Sequence, residues 1–142
     1  MNKMMLVEQV MTEKVTVANL HNKFSQVMEF FQLFKIHHLP VMDGEDIIGI
    51  ISVHDVLHFM HERLEKGGTL SLDQLNEEFH IGDVMTAPPI TISPEATLLE
   101  ALELFDEGRF RALPVAEDGK IRGIITYKDL VRVYSWEKHT SE

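Results

Sequence analysis

The sequence predicts an α+β fold made of two copies of one β-α-β-β-α unit, and three observations predict it. The first is internal repetition. At a constant offset of 74 positions, Val10-Met11-Thr12 meets Val84-Met85-Thr86, Leu39-Pro40-Val41 meets Leu113-Pro114-Val115, and Gly49-Ile50-Ile51 meets Gly123-Ile124-Ile125. The second is the alternation of short β-prone runs with apolar stripes of helical spacing. The third is the stretch that closes each copy, residues 49–55 and 123–129. Each reads Gly-Ile-Ile-(Ser/Thr)-x-x-Asp, a buried strand running into the first turn of a helix.

Each copy opens with a short helical turn, residues 6–11 and 81–85, followed by Val15-Thr16-Val17 or Ile90-Thr91-Ile92. Thr16-Val17 matches Thr91-Ile92 best, so a one-residue slip is expected here, with the extra residue in the turn Ala87-Pro88-Pro89. Ser93-Pro94-Glu95 suits a helix entry through a side-chain oxygen cap and a proline at the first helical position. Thr97 and Glu100 offer a competing capping box, and the first copy has only Asn22 in this place. The helices then carry Phe24, Val27, Met28, Phe31 and Phe34, or Leu98, Ala101, Leu102 and Phe105, as one apolar stripe. Phe30 and Leu104 lie off that stripe and serve either as extra core or as a partner-binding face. Gly108 suits a left-handed helix end.

The strands after these helices, residues 37–42 and 111–116, each carry a proline, which implies an edge or an irregularity because proline cannot donate to a ladder. Asp43-Gly44 and Asp118-Gly119 signal hairpins. The closing helices are expected to bury Val53, Val56, Leu57, Met60 and Leu64 in one copy, and Tyr127, Leu130, Val131 and Tyr134 in the other. Between the copies Gly67-Gly68 breaks the chain. Ser71, with Gln74 three residues on, then caps a short helix whose Leu72, Leu75 and Phe79 are expected to pack on the fold. The expected domains are residues 1–66 and 80–142, with a connecting segment of residues 67–79.

Composition narrows the chemistry. The 142 residues contain no cysteine, which excludes disulfide, thiolate-zinc and thiol-nucleophile chemistry. A formal charge of −10 opposes binding to duplex nucleic acid, which needs a basic stripe. No apolar run approaches the ~18 residues of a membrane span, and the N-terminal stretch lacks the pattern of a signal peptide, so no membrane association and a cytoplasmic location are expected. Arg109, Arg111, Lys120, Arg122, Lys128 and Arg132 gather in the second half, either as surface charge or as a local anion-binding set.

The hydroxyl and carboxylate of Ser52 and Asp55, and of Thr126 and Asp129, fit two roles. They can cap the helix that they begin, or they can hold a sugar diol and a phosphate, since a carboxylate offers free lone pairs and a helix N-terminus favours an anion. Gly49 and Gly123 leave room for a ligand or for a neighbouring strand. A second constellation, His54, His58 and His61, falls on one helical face with spacing that allows a shared metal. A solvated helix face explains it equally, and no third acidic ligand is evident. No phosphate-binding or dinucleotide glycine motif and no nucleophile-base set occurs, so nothing argues for an enzyme.

The Val-Met-Thr openings, the Leu-Pro-Val strands and the Gly-Ile-Ile-(Ser/Thr)-x-x-Asp closings, in this order and twice, resemble the cystathionine-β-synthase (CBS) domain. Two in tandem resemble a Bateman module. The resemblance implies two CBS repeats packed with pseudo-twofold symmetry and two clefts between them that take AMP, ADP, ATP or S-adenosylmethionine as a regulatory ligand. It implies that Asp129 accepts from ribose hydroxyls and Thr126 donates to a phosphate, with Ile90, Thr91, Arg111, Ala112, Leu113, Pro114 and Gly123 completing that cleft. Thr16, Val17, His37, His38, Ser52 and Asp55 form the second, weaker one. Arg111 suits a phosphate better than His37, because its guanidinium fork is always charged, so the cleft around Thr126, Asp129 and Arg111 is the expected nucleotide site. The resemblance further implies a homodimer and an output to a separate effector protein. A structural or interaction module with empty clefts is the competing expectation.

Overall fold

The computed structural model describes residues 2–140, with side chains through Glu137. Among the described residues the elements are a 3-10 turn at Val7–Gln9, β1 (Ala18–Asn19), α1 (Phe24–Phe34), β2 (His38–Asp43), β3 (Asp46–Ser52), α2 (Val53–Glu65), α3 (Leu72–Glu78), α4 (Ile81–Val84), α5 (Leu98–Asp106), β4 (Ala112–Glu117), β5 (Lys120–Thr126) and α6 (Tyr127–Thr140). This is the expected α+β class. None of these helices is long and apolar enough to cross a membrane.

The compact units are not the sequence repeats. One unit is Thr16–Pro89, and the other joins Met1–Val15 to Ile90–Glu142. Each repeat's Val-Met-Thr opening therefore belongs to the unit built on the other repeat.

In the first unit β1 runs parallel to β2, and β2 pairs antiparallel with β3. The far side of β3 is met by Thr86, whose N–H donates to the Ile50 carbonyl at 2.8 Å while Ile50 N–H donates back at 3.0 Å. The second unit repeats the pattern. Ile92 lies parallel beside Val115, β4 pairs antiparallel with β5, and Thr12 exchanges two backbone hydrogen bonds with Ile124 at 2.9 and 3.0 Å.

The pairings Ala18 with Val41 and Ile92 with Val115 keep the offset of 74, so the expected one-residue slip does not occur. Likeness of side chains suggested it. The inward face decides instead, since Ala18 and Ile92 are both buried and a slip would turn each outward. Pro40 and Pro114 are tolerated because the neighbour on that side is short: β1 begins opposite Val41, and in the second unit Ile92 N–H donates to the Pro114 carbonyl.

A bulge lies opposite Val41/Met42 and again opposite Val115/Ala116, next to Gly49 and Gly123. These glycines admit the exchanged openings. A Cβ on Gly123 would lie 2.5 Å from Met11 Sδ and 2.9 Å from the Thr12 carbonyl oxygen; on Gly49 it would lie 2.6 Å from Met85 Sδ and 2.9 Å from Thr86 O. Of the two uses foreseen for the glycines, the neighbouring segment fills the space.

The cores follow the same exchange. Val7, Val10 and Met11 are buried with Leu98, Phe105, Leu113 and Ile125, while Phe79 and Ile81 are buried with Phe24, Val27, Leu39 and Ile51. Each such side chain removed from water contributes about 1.5–3 kcal/mol. Phe24, Phe59 and Phe79 meet edge to face or tilted, with centroids 5.3–6.3 Å apart.

Helix ends sort the competing caps. Thr97 opens α5 as a capping box with Glu100: Glu100 N–H donates to Thr97 Oγ1 at 3.3 Å, and Thr97 N–H to Glu100 Oε2 at 2.9 Å. Ser93 only turns the chain, accepting from Glu95 N–H. At α1 the cap position is Lys23 rather than Asn22, and Gln26 Oε1 accepts the Lys23 N–H. Gly108 has φ +80° after α5, as expected, while Lys35 takes the left-handed position after α1 with φ +51°.

The closing helices correct one expectation. Leu57, Leu64, Val131 and Tyr134 are more than half exposed and Tyr127 is 43% exposed, whereas Val56, Leu130 and Val133 are buried. Both α2 and α6 carry two apolar stripes of helical period, and periodicity alone does not say which one meets the core. In α2 Val56 is buried and Val53, Phe59 and Met60 pack partly buried against the same core, Phe59 meeting Phe79, so of the expected set Leu57 and Leu64 turn outward. The connecting segment packs as expected through Leu75 and Phe79, while Leu72 stays exposed. It is held by Arg63, 8% exposed, which donates to the Thr69 carbonyl and to Gln74 and pairs with Glu78.

Candidate functional site

In each unit the antiparallel ladder carries the candidate residues to one end of the sheet. Ala112 stands opposite Thr126, so Arg111 lies one step beyond the strand at the start of α6. Ile90 and Thr91 precede Ile92, whose parallel pairing with Val115 runs them toward the same end. Leu113 and Pro114 are buried parts of β4, and Arg111 is exposed without an ion pair among the described residues. In the first unit His38 stands opposite Ser52, and the His37 carbonyl accepts the Val53 N–H at 3.0 Å. Thr16 and Val17, half-buried, lead into β1. The residues singled out in each repeat thus converge, apart from Gly49 and Gly123. Those two lie farther along the strands, under Met85 and Met11.

At the first junction the capping box is closed. Asp55 N–H donates to Ser52 Oγ at 3.1 Å, and Asp55 Oδ2 accepts the Ser52 N–H at 2.9 Å. Thr86 Oγ1 adds a long contact, 3.3 and 3.5 Å from the two carboxylate oxygens.

The second junction is tighter. Asp129 is 5% exposed. Its Oδ2 accepts from Thr126 N–H at 2.9 Å and from Thr126 Oγ1 at 3.5 Å; its Oδ1 accepts from Thr12 Oγ1 at 3.0 Å and from Arg132 Nη2 at 3.1 Å. Arg132 Nη2 also donates to the Val10 carbonyl at 2.9 Å.

Thr12, Thr86 and Arg132 are the site neighbours that the sequence reading missed. The threonines were visible only as repeat markers in Val-Met-Thr, and their partners lie 117 and 31 residues away. Arg132 was visible as part of a basic cluster without an assigned contact.

Two of the three histidines on the α2 face, His58 and His61, stand against glutamates of the same helix. His58 Nε2 lies 3.1 Å from Glu62 Oε1, and His61 Nε2 lies 3.1 Å from Glu65 Oε1, all well exposed. Among the described residues no group of three His, Asp or Glu side chains is arranged to hold a metal ion. A hollow of about 410 Å³ in the first unit, lined by His21, Lys23, Asn76, His80 and Asp83 among others, shares no residue with either junction.

Known proteins show the same architecture. A crystal structure of CBSX2 in complex with AMP superposes with a TM-score of 0.75 at 28% identity, covering 94% of this chain and 98% of that one. CBSX2 of Arabidopsis thaliana, a chloroplastic CBS domain-containing protein, is 29% identical over 127 residues, 76% of this chain and 53% of that protein. Other relatives are much longer. An uncharacterized 33.4 kDa protein in the ribosomal RNA operon of Thermofilum pendens is 25% identical over 130 residues, 88% of this chain but 42% of its own length. An inosine-5'-monophosphate dehydrogenase of Korarchaeum cryptofilum (strain OPF8) is 33% identical over 93 residues, 65% of this chain and 16% of the enzyme. The sequence profile of the CBS domain matches residues 7–62 and 81–135, one match to each repeat, and the chain therefore belongs to the CBS domain family.

Proposed function

We propose that this chain is a regulatory module that binds an adenosine-containing ligand, AMP, ADP, ATP or S-adenosylmethionine, and passes its binding state to a separate protein or to its own oligomeric state. The observation that carries the proposal is the likeness, along nearly the whole of both chains, to a CBS protein that holds AMP. The residues fit the ligand class. A carboxylate at a strand-to-helix junction, Asp55 or Asp129, accepts the ribose hydroxyls, as an ionised carboxylate with vacant lone pairs does. Ser52 or Thr126 offers a hydroxyl beside a helix N-terminus, where a phosphate is favoured. Arg111, exposed beside Ala112, adds a fixed cation on the second repeat, and His37 is its counterpart on the first. Ile90-Thr91 and Thr16-Val17 supply backbone and apolar surface for adenine.

A ligand signals only if it binds one conformation more tightly than another. It also stabilises the fold by mass action, about 2.7 kcal/mol at a free concentration of 100 Kd. Thermal melting with AMP, ADP, ATP, S-adenosylmethionine and NADH tests the proposal; unmoved melting with every one of them defeats it. A second reading, an interaction module that takes no small molecule, draws on the closed Ser52–Asp55 capping box, which is complete without a ligand. It predicts an oligomeric state by light scattering that is indifferent to nucleotide.

A further inference from the structure

We propose that Arg132 is an internal staple that closes the Asp129 carboxylate to ligands and leaves Asp55 as the carboxylate that receives the ribose diol. The proposal rests on the adenosine reading above and reverses the ranking drawn from sequence alone.

Acceptor capacity separates the two carboxylates. A carboxylate has about four lone-pair directions, and a vicinal diol brings two donors. On Asp129 four donor contacts already stand: Thr126 N–H, Thr126 Oγ1, Thr12 Oγ1 and Arg132 Nη2. A diol there must displace a charge-assisted bond, the stronger kind. On Asp55 there are two donors, Ser52 N–H and the single Thr86 hydroxyl shared loosely between both oxygens, so two directions remain.

Exposure agrees, since Asp129 is buried and Asp55 half-buried. Two donors separate the repeats, the long Thr126 Oγ1 contact and the Arg132 guanidinium, and only the second is charged. The position equivalent to Arg132 is His58, which faces Glu62 instead of Asp55. An exposed i,i+3 ion pair alone holds little. Arg132 is held at a second point, the Val10 carbonyl, and so ties α6 to the exchanged opening as well as to Asp129. With Thr12 on the same carboxylate, that opening has two side-chain links to α6. Among the described residues its counterpart at residues 84–86 has one such side-chain link, from Thr86 to α2.

The test is calorimetric titration of AMP into the full chain, paired with amide hydrogen exchange in the absence of ligand. We expect one AMP per wild-type chain, binding at least about ten-fold weaker in Asp55→Asn, and a second AMP per chain in Arg132→His. Unaltered binding in Asp55→Asn, or a single site persisting in Arg132→His, overturns the assignment. Exchange judges the staple by itself. In Arg132→His the Thr12 and Ile124 amides should exchange about ten-fold faster, and unchanged protection overturns the staple whatever the titration shows. A wild-type chain that takes up no adenosine compound defeats the functional reading alone, and the exchange result still decides whether Arg132 fastens the opening.

Discussion

Replacing Gly123 with alanine tests the exchanged opening directly. The added Cβ would stand 2.5 Å from Met11 Sδ and 2.9 Å from the Thr12 carbonyl oxygen. Met11 ends a flexible side chain and can shift, at the usual overpacking cost of about 1–3 kcal/mol. Thr12 O belongs to backbone and is held by the Ile124 N–H at 3.0 Å, with the reciprocal bond at 2.9 Å. Straining or breaking that pair removes about 0.5–1.5 kcal/mol for each bond. The combined loss is about 2–6 kcal/mol, and for a chain of this size each kcal/mol lowers the melting temperature by about 3–5 °C.

Urea and thermal denaturation measure the loss. Gly49→Ala should show the same penalty, because its Cβ would meet Met85 Sδ at 2.6 Å and Thr86 O at 2.9 Å. Gly82→Ala is the control: it lies within α4, its Cβ would meet only Leu20 Cδ1 at 3.5 Å, and the change should be neutral or stabilising by about 0.5–1 kcal/mol. In a double-mutant cycle Met11→Ala and Gly123→Ala should couple by at least about 0.5 kcal/mol, as touching residues do. Gly123→Ala within about 0.5 kcal/mol of the parent would mean that the opening does not press on this glycine.

Three further substitutions probe the supports of the two units. Arg63→Ala removes the donors to Thr69 and Gln74 and the partner of Glu78; it should cost about 1–3 kcal/mol in urea denaturation and speed proteolytic nicking between Gly67 and Ser71. Ser52→Ala opens the α2 capping box and should cost about 1 kcal/mol, with Ser52→Thr close to the parent. Tyr127→Phe removes the hydrogen bond from Tyr127 Oη to the Phe105 carbonyl but keeps the ring contact at 4.8 Å, so thermal denaturation should show a loss of about 0.5–1.5 kcal/mol. No loss there would mean that water replaces the tyrosine hydroxyl.

What the sequence displays most clearly is local. The hairpins, the α5 cap at Thr97 and the strand-to-helix junctions follow from residues within a few positions of each other, and each formed where its turn or capping chemistry predicts. The stripe on the closing helices was harder. Of the expected Val53, Val56, Leu57, Met60 and Leu64, three face the core and Leu57 and Leu64 do not; the inward face centres on Val56 and Phe59, where Phe79, twenty residues beyond Phe59, packs.

The exchange of openings was not legible for a sharper reason. Val10-Met11-Thr12 and Val84-Met85-Thr86 are the same three residues, and both sheets present a glycine followed by two isoleucines to receive them. A repeat that fits either receptor equally cannot announce which it joins. The same ambiguity hid the donors on the two aspartates, because Thr12 reaches Asp129 only through the exchange. What does differ between the repeats is the residue one turn beyond each aspartate, Arg132 against His58. The basic cluster that drew attention to the second junction as a phosphate site thus contains the side chain that occupies its carboxylate. Counting positive charge near a motif favours one repeat, while counting vacant lone pairs on the carboxylate favours the other. For a ligand recognised through hydroxyl donors, the second count sets the order.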